Sequence, residues 1–385
     1  MAESLFEETA ARMRRDPSAF SGVGDIARSC GLRRTALNEL FREHAHESPA
    51  AFLRRVQIDH AMQQLREGDC PTAAAGFHMH FTARTGMTPA AYAALSSSRE
   101  FELRLPPRYR PQEVLRFFGR DAASVSEHVE HDSVAKCVLI DNQPCVVKIQ
   151  FSPGTAHCTT DTENAFAAHR MAVRMLGLDS GAESFEREFA RDKVLGRMIR
   201  SQRGLRIPMT PEPWEALAWA ICGQQISVKA AVVLRRELIS AAGAKHPSGL
   251  RAHPTAAQVA AMSAEHLRSS KFSRSKADCM LAAARAVASG EVPLDRMSAI
   301  SAVRAARLLK AVRGIGDWTV QYTFLRGLGF TDCLPAGDVG LARGLEPVCD
   351  GRPDEAAIRE IMGRYAPWRS YATYHVWSSL KGAGE

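Results

Sequence analysis

The sequence predicts an α+β protein that is mostly helical, with an all-helical carboxyl-terminal core, a small β-containing domain before it and a helical segment at the amino terminus. Three observations predict this class. Apolar residues recur three and four positions apart over residues 21–67 and over almost every segment after Pro213, which is typical of amphipathic helices. Two β-rich runs flank a turn-forming sequence near residue 142. A chain of 385 residues also exceeds what one hydrophobic core usually serves.

Composition excludes several classes of protein. Hydrophobic residues make up 45% of the chain and charged residues 24%, and no stretch approaches the roughly 20 apolar residues that cross a bilayer. The first 17 residues mix acids with bases and lack the apolar region of an export signal, so we expect a cytoplasmic protein. Nine cysteines are scattered without any C-x-x-C pair, which predicts reduced thiols, no iron–sulfur cluster, no metal site and no cofactor.

The net charge of +8 is unevenly distributed. Residues 1–100 carry 12 bases and 12 acids, and residues 101–200 carry 14 of each. Residues 201–300 carry 13 bases against 7 acids, and residues 301–385 carry 11 against 9. The surplus therefore attracts a polyanion to the carboxyl-terminal half. A solvated basic face without a ligand is the alternative interpretation.

Residues 1–95 form the first predicted domain, and their pattern is that of a helix-turn-helix. Gly31 lies between two amphipathic stretches where a tight turn is needed, and Ser48 followed by Pro49 predicts the start of a third helix. This region resembles the DNA-binding domain of AraC-type regulators, whose second half ends in a pattern like Gly76-Phe77 and Thr85-Gly86-Met87-Thr88-Pro89 to Tyr92.

The resemblance has one large departure. Members of that family carry a complete second recognition helix between the two patterns. Only His78 to Thr85 remain here, which is too few residues for that helix, so we expect the second DNA-recognition unit to be deleted. Two interpretations of residues 1–95 stay open: sequence-specific DNA binding, or a vestigial or structural role.

The second predicted domain covers residues 101–178 and the third residues 179–385. A polar break at residues 96–98 precedes the second, in which Val134 to Ile140 and Cys145 to Phe151 predict a hairpin around residues 141–144. Helices separated by glycine stops are predicted in the third. They cover residues 213–241, 255–269, 274–289, 298–312, 317–328, 353–365 and 368–380.

The motifs that indicate a catalytic function lie within residues 307–345. Gly314-Ile315-Gly316 lies between two amphipathic helices, where missing side chains allow a sharp hairpin whose backbone N–H groups can approach a phosphate. An ordinary αα-hairpin is the alternative. Leu334-Pro335-Ala336-Gly337-Asp338 is a glycine and proline loop that ends in an acid before a new helix. By itself Asp338 is explained as a helix N-cap.

The combination is more specific than its parts. A hairpin followed about twenty residues later by a glycine/proline-rich loop and an aspartate matches the signature of helix-hairpin-helix base-excision glycosylases. In bifunctional members, such as endonuclease III, the place of Trp318 holds a lysine that forms a Schiff base. Tryptophan cannot act as that nucleophile, so the resemblance implies a monofunctional hydrolase. Trp318 and Tyr322, one helical turn apart, have plain core residues as their alternative interpretation.

Further motifs narrow the resemblance to the AlkA-type 3-methyladenine DNA glycosylase II family over residues 101–385. The stretch at residues 103–122 resembles that family's amino-terminal domain, Gly223 to Ser227 its GQQIS segment, and Pro367 to Ala372 with Trp377 its last helix. The site residues that the resemblance implies are the catalytic Asp338, the base-pocket walls Trp318, Tyr322 and Trp377, and the DNA-binding Gly314, Gly316, Thr319, Gln224 and Gln225.

Two departures concern that site. Gln225 matches the wedge that fills the gap left by a flipped nucleotide, and the wedge is apolar in the best-known relatives. Val339, which follows the catalytic position, is not aromatic. The resemblance implies that double-stranded DNA with alkylated bases is the partner of a monomeric enzyme, with Asp338 acting either electrostatically or as general base.

Three rival functions have different requirements. A transcription regulator of the alkylation response, with a lesion-sensing glycosylase half, needs an intact reading domain. An Ada-type methyl acceptor needs four cysteine ligands ahead of the helix-turn-helix, and no cysteine precedes Cys30. A glycosylase-lyase for oxidised bases is disfavoured by Trp318 and by the lack of a cysteine cluster.

Overall fold

The computed structural model describes residues 2–69, 76–178, 181–349 and 351–380. Helices dominate, and the strands of these ranges form a five-stranded antiparallel sheet between two helical regions. The predicted α+β, mostly helical class is therefore confirmed. None of the helices in the described ranges is long and apolar enough to cross a membrane.

The amino-terminal region contains the predicted helix-turn-helix. Its helices are α1 (Ala2–Arg15), α2 (Val23–Cys30), α3 (Arg34–Ala45), α4 (Pro49–Glu67), α5 (Phe77–Thr85) and α6 (Pro89–Ala93). Gly31 joins α2 to α3 with a left-handed φ of 65°, a conformation that glycine adopts without strain. Ser48 caps α4 by accepting from the Ala51 N–H, as predicted. Between Gly76 and Gly86 the chain forms the nine-residue helix α5, and the loss of a second recognition helix stays a prediction.

The amino-terminal region contributes to two cores. Phe6, Phe41 and Phe52 pack edge to face in a core of α1 to the first half of α4. Residues from Ile58 to Leu95 instead join the core of the sheet, where Tyr92 packs against His169. The second half of residues 1–95 is therefore continuous with the β-containing domain.

The sheet has the strand order β1-β5-β4-β3-β2. Its strands are β1 (Glu100–Arg104), β2 (Glu127–Val129), β3 (Ser133–Ile140), β4 (Gln143–Ser152) and β5 (Thr155–Thr160). The predicted hairpin is β3–β4, closed at Asp141 and Asn142, both of which have positive φ as a tight hairpin turn requires. Helices α7 (Pro111–Phe118) and α8 (Ala165–Leu176) pack on the sheet.

The carboxyl-terminal region is helical. Its helices are α9 (Ala182–Phe189), α10 (Gly196–Ser201), α11 (Pro213–Gly223), α12 (Val228–Ala242), α13 (Ala256–Ala260), α14 (Ala264–Ser269), α15 (Arg274–Ala288), α16 (Ala302–Ala311), α17 (Asp317–Thr323), α18 (Val339–Leu345), α19 (Glu355–Gly363) and α20 (Arg369–Ser379). Short 3-10 turns cover Pro17–Ala19, Ala94–Ser97, Leu294–Ala299 and Glu346–Val348, and a π-helical turn, Phe324–Leu328, extends α17.

Two predicted helices were wrong as single elements. The stretch at 213–241 breaks into α11 and α12, because Gln225 has a φ of 55° and Ser227 starts a new helix by capping the Ala230 N–H. The stretch at 255–269 breaks into α13 and α14, because Ser263 caps a fresh helix in the same way. The first break creates a loop at residues 224–227, which lies beside the glycine hairpin.

Four buried charged side chains join the sheet to the helical region. Lys136 of β3, fully buried, donates to Glu127 at 2.9 Å and lies 3.1 Å from Glu215 of α11. Arg235 of α12 donates to Glu127 at 3.0 Å. Burial alone would raise the pKa of Glu127, but Arg235 and Lys136 overcome that effect and hold this pKa well below its usual value. Two bases and two acids thus neutralise one another.

Candidate active site

The glycine hairpin between α16 and α17 is built as predicted. Gly314 has a φ of 91°, and a Cβ there would lie 2.9 Å from the Cys279 sulfur, so both conformation and space require glycine. Around Gly316, among the described residues, nothing beyond its chain neighbours comes within 4 Å of the place where a Cβ would be. The backbone at Gly316 is therefore open to an approaching phosphate.

The loop between α11 and α12 is tied to this hairpin. The Gln224 side chain donates to the Gly314 carbonyl at 2.9 Å and to the Thr319 hydroxyl at 3.0 Å. Lys276 of α15 donates to the carbonyls of Ile221, Cys222 and Gln224 at 3.1, 3.0 and 2.6 Å, satisfying the end of α11. Thr319 is 2% exposed, and its hydroxyl accepts from Gln224, so its side chain helps to hold the loop against the hairpin. Its DNA-binding role stays a prediction.

The tip of that loop is exposed. Gln225, the predicted wedge, lies at the tip with its left-handed backbone. Ile226 and Val228 next to it are 38% and 62% exposed, which is unusual for aliphatic side chains in an otherwise well-buried helical core. Sequence reasoning missed these two residues, although their position on either side of the helix-capping Ser227 was a visible signal. The wedge role of Gln225 stays a prediction.

Asp338 is the N-cap of α18, and its carboxylate also lies between two tryptophans; its catalytic role stays a prediction. It ends the proline and glycine loop and caps α18, with Oδ1 accepting from the Leu341 N–H at 2.7 Å. Its half-buried carboxylate also accepts from two indoles: Trp318 Nε1 donates to Oδ2 at 2.9 Å, and Trp377 Nε1 donates to Oδ1 at 2.9 Å. Three N–H groups therefore fix the orientation of the carboxylate.

Close packing keeps the approach to this carboxylate narrow. A Cβ at Gly340 would lie 3.0 Å from Asp338 Oδ1 and 3.6 Å from Trp377 Cδ1, so a larger residue would crowd the acid. Within the described residues, no lysine or arginine nitrogen lies within 4.0 Å of the Asp338 carboxylate. The acid is therefore held by dipolar N–H groups and keeps its negative charge uncompensated.

Aromatic rings line the space beside Asp338. Trp318 stacks on Tyr322 with ring centroids 5.3 Å apart at 27°, and Tyr322 lies 6.3 Å from Trp377. The three rings predicted from separate motifs are thus brought together. A fourth ring, Trp219 of α11, belongs to the same cluster and is 6% exposed. Sequence reasoning missed Trp219, although it lies one helical turn before the Gly223 segment.

The site contains no obvious place for a metal ion. In the part of the chain that the structure describes, no group of three or more histidine, cysteine, aspartate or glutamate side chains is arranged to hold one.

The amino-terminal region contacts the first hairpin helix. His44 of α3 hydrogen-bonds to Ser301, the cap of α16, at 2.8 Å. Glu7 and Glu3 of α1 pair with Arg304 and Arg307 of α16 at 2.9 and 2.6 Å. The helix-turn-helix is thus docked on the hairpin, and sequence-specific DNA binding by residues 1–95 stays a prediction.

Comparisons with known proteins agree with this arrangement. Residues 218–366 match the model of the HhH-GPD superfamily base excision DNA repair proteins, and residues 100–212 match the AlkA N-terminal domain. The fold and the acid beside the hairpin define a base-excision repair protein. The chain belongs to the helix-hairpin-helix base excision DNA repair superfamily, with an amino-terminal domain of the AlkA type.

Individual relatives cover the chain to different extents. A protein of Mycobacterium tuberculosis (strain ATCC 25618 / H37Rv) named "Probable bifunctional transcriptional activator/DNA repair enzyme AlkA" is 27% identical over 391 residues, covering 94% of this chain and 77% of its own. A DNA-3-methyladenine glycosylase of Bacillus subtilis (strain 168) is 29% identical over 208 residues, covering 53% and 69%. The solved 3-methyladenine DNA-glycosylase of Archaeoglobus fulgidus is similar in fold, with a TM-score of 0.65 at 22% identity over 72% of this chain and 97% of that one.

Proposed function

We propose that this protein is a monofunctional DNA glycosylase that hydrolyses the N-glycosidic bond of alkylated purines in double-stranded DNA, with Asp338 as the catalytic residue. The observation that carries the proposal is the Asp338 carboxylate, clamped by two indole N–H groups inside an aromatic cluster. The proposal includes a monomer that acts on double-stranded DNA in the cytoplasm.

Access to the bond requires that the nucleotide leave the duplex. Rotating a base out costs a few kcal/mol, least where pairing is already weakened by damage. The open backbone at Gly316 supplies a grip on phosphates, and the exposed loop tip at Gln225 and Ile226 lies beside it to fill the vacated space. Because Gln224 ties that loop to the hairpin and Lys276 holds the same loop at the end of α11, the phosphate-binding turn and the wedge act as one rigid unit.

The bond breaks by loss of the base. Alkylation at N3 or N7 of a purine leaves a positive charge on the base, which makes it a good leaving group without a general acid. As the bond lengthens the sugar becomes an oxocarbenium ion, which a fixed carboxylate stabilises. Asp338 carries no compensating cation within the described residues, so its full charge acts on the sugar. Water then attacks the anomeric carbon, and the acid is placed to orient it.

The same geometry supports a hydrolase without lyase activity. A lyase needs an amine nucleophile at the start of the second hairpin helix, and Trp318 occupies that place with its N–H on Asp338. The expected product is therefore a free base and an intact strand with an abasic site.

The test is the substitution Asp338→Asn in the full chain. Asparagine still caps α18, so folding is preserved while the charge is removed. Release of 3-methyladenine from a methylated duplex should fall by roughly a hundredfold or more, and affinity for an abasic duplex should be largely kept. Asp354→Asn is the matched control, because Asp354 caps α19 in the same way through the Ala357 N–H at 2.8 Å. Undiminished turnover in Asp338→Asn would refute the assignment.

A further inference from the structure

An arginine lies against the aromatic cluster. Arg120 follows α7, and its guanidinium carbon is 3.7 Å from the centroid of Trp219 and 4.5 Å from that of Phe117. Trp219 belongs to the same cluster as Tyr322, which stacks on Trp318, the residue that donates to Asp338. Arg120 thus contacts the aromatic cluster through Trp219.

This cation has no carboxylate partner. Asp121, Glu127 and Glu215 line the same recess as Arg120, but each pairs with another base. Asp121 accepts from Arg236 at 2.6 Å, and the two glutamates belong to the neutral set with Lys136 and Arg235. Across the described ranges no carboxylate oxygen lies within 4.0 Å of the Arg120 guanidinium. Its charge therefore acts on whatever occupies the cluster.

A second unpaired cation lies behind the cluster. Arg326 is buried, with its guanidinium carbon 4.6 Å from the ring centroid of Phe117 and 5.7 Å from that of Trp377. It donates to the Pro208 carbonyl at 2.6 Å, and its Nε has no hydrogen-bond partner. Trp219 and Trp377 thus each already have a guanidinium near the ring, which weakens the cation–π attraction that these rings can offer to a cationic base.

We propose that Arg120 is a specificity-determining residue of the base pocket, which weakens the hold on cationic bases and favours a neutral flipped base bearing a carbonyl oxygen. The proposal rests on the proposed glycosylase function and extends its substrates beyond alkylated purines. Arginine keeps its charge at any physiological pH, and its N–H groups donate to oxygen acceptors but accept from none.

The two substrate classes depend on Arg120 differently. A cationic N-alkylpurine leaves readily once it is flipped, so a weaker hold still permits excision. A neutral base is a poorer leaving group and gains from a charged hydrogen bond that withdraws electrons from its ring. Removing the guanidinium should therefore change the two rates in opposite directions, which loss of packing alone would not do.

Three duplex substrates separate charge from hydrogen bonding. Hypoxanthine is neutral and has a carbonyl oxygen, 1,N6-ethenoadenine is neutral and has none, and 3-methyladenine is cationic and has none. Single-turnover rates would be measured for the full-length wild type, Arg120→Gln and Arg120→Lys. Melting temperature and affinity for an abasic duplex would be recorded for each variant.

For Arg120→Gln we expect hypoxanthine excision to fall by about tenfold or more, the loss typical of a hydrogen bond from a charged donor. Ethenoadenine excision should stay within about twofold, and 3-methyladenine excision should rise by a few fold. Arg120→Lys, which keeps the charge without the flat stack on Trp219, should raise 3-methyladenine excision less than Arg120→Gln does.

The outcomes distinguish the two proposals. An equal loss on all three substrates, or wild-type activity on 3-methyladenine with none on hypoxanthine, would overturn the role of Arg120 and leave the glycosylase function standing. Absence of base release from every substrate by the wild type would instead overturn the proposed function.

Discussion

The two indole N–H groups that hold Asp338 allow a quantitative test. Trp377→Phe keeps a ring in the pocket wall and removes the 2.9 Å hydrogen bond to Oδ1, and Trp318→Phe does the same at Oδ2. The Leu341 N–H stays in place in both variants, so α18 keeps its cap. The substitutions therefore affect the orientation of the acid more than the fold.

The magnitude follows from the kind of bond that is lost. A hydrogen bond to a charged group contributes about 1.5 to 3 kcal/mol. If the bond is fully used as charge develops on the sugar, each variant should lose about 10- to 150-fold in single-turnover rate. Because both indoles act on one carboxylate, the double variant should lose less than the product of the two factors.

The assay is base release from a 3-methyladenine duplex with enzyme in excess, together with affinity for an abasic duplex. Trp214→Phe is the matched control, since Trp214 is a buried indole that donates to the Pro254 carbonyl at 2.9 Å away from the acid. It should lower stability without a specific loss of rate.

Introducing Trp377→Phe into an Asp338→Asn chain tests whether Trp377 acts by orienting the Asp338 carboxylate or by packing in the pocket wall. In an Asp338→Asn chain the indoles no longer hold a carboxylate, so adding Trp377→Phe should cost little more. If Trp377→Phe lowers the rate by the same factor in both backgrounds, the indole acts as a pocket wall and not through Asp338, and the reasoning is refuted.

Two further predictions concern the wedge loop and stability. Lys276→Met removes three hydrogen bonds to the end of α11. The equilibrium for base flipping, measured by the fluorescence of 2-aminopurine beside the lesion, should therefore weaken by about tenfold, while the affinity for non-specific DNA stays the same. Unchanged flipping would contradict the role of Lys276 in holding the loop. Burial lowers the pKa of His169 and His253 to about 4 and that of His375 to about 3, against 6.5 when exposed. These histidines are neutral in the folded state and take up protons on unfolding, so the free energy of unfolding should be highest above pH 6.5. Below that pH it should fall towards pH 4 by about 1.4 kcal/mol per pH unit for each histidine. Urea titrations at several pH values would measure this slope. A flat profile, or the same slope in His169→Asn, would contradict that assignment.

The sequence by itself determined the features that depend on local geometry. Gly314 marks a turn that only glycine adopts easily, and the β3–β4 hairpin shows in two β-rich runs around a turn. Asp338 was found because a glycine and proline loop ends at a capping residue, and Trp318 because it directly follows the hairpin. Each signal lies within a few residues of the feature that it predicts.

The tertiary structure decided what depends on packing between distant elements. Trp219 of α11 and Arg120 at the end of α7 meet at the aromatic cluster. In the sequence, Trp219 looks like an ordinary core residue and Arg120 like an ordinary surface residue. Gln224 and Thr319, 95 positions apart, form a hydrogen bond with each other that no local pattern indicates. The acid is an N-cap by sequence, but two indoles 20 and 39 positions away also donate hydrogen bonds to it, which no local pattern indicates. Local patterns fix turns and caps because they restrict backbone angles nearby, whereas the shape and charge of a pocket depend on which side chains the folded core brings together.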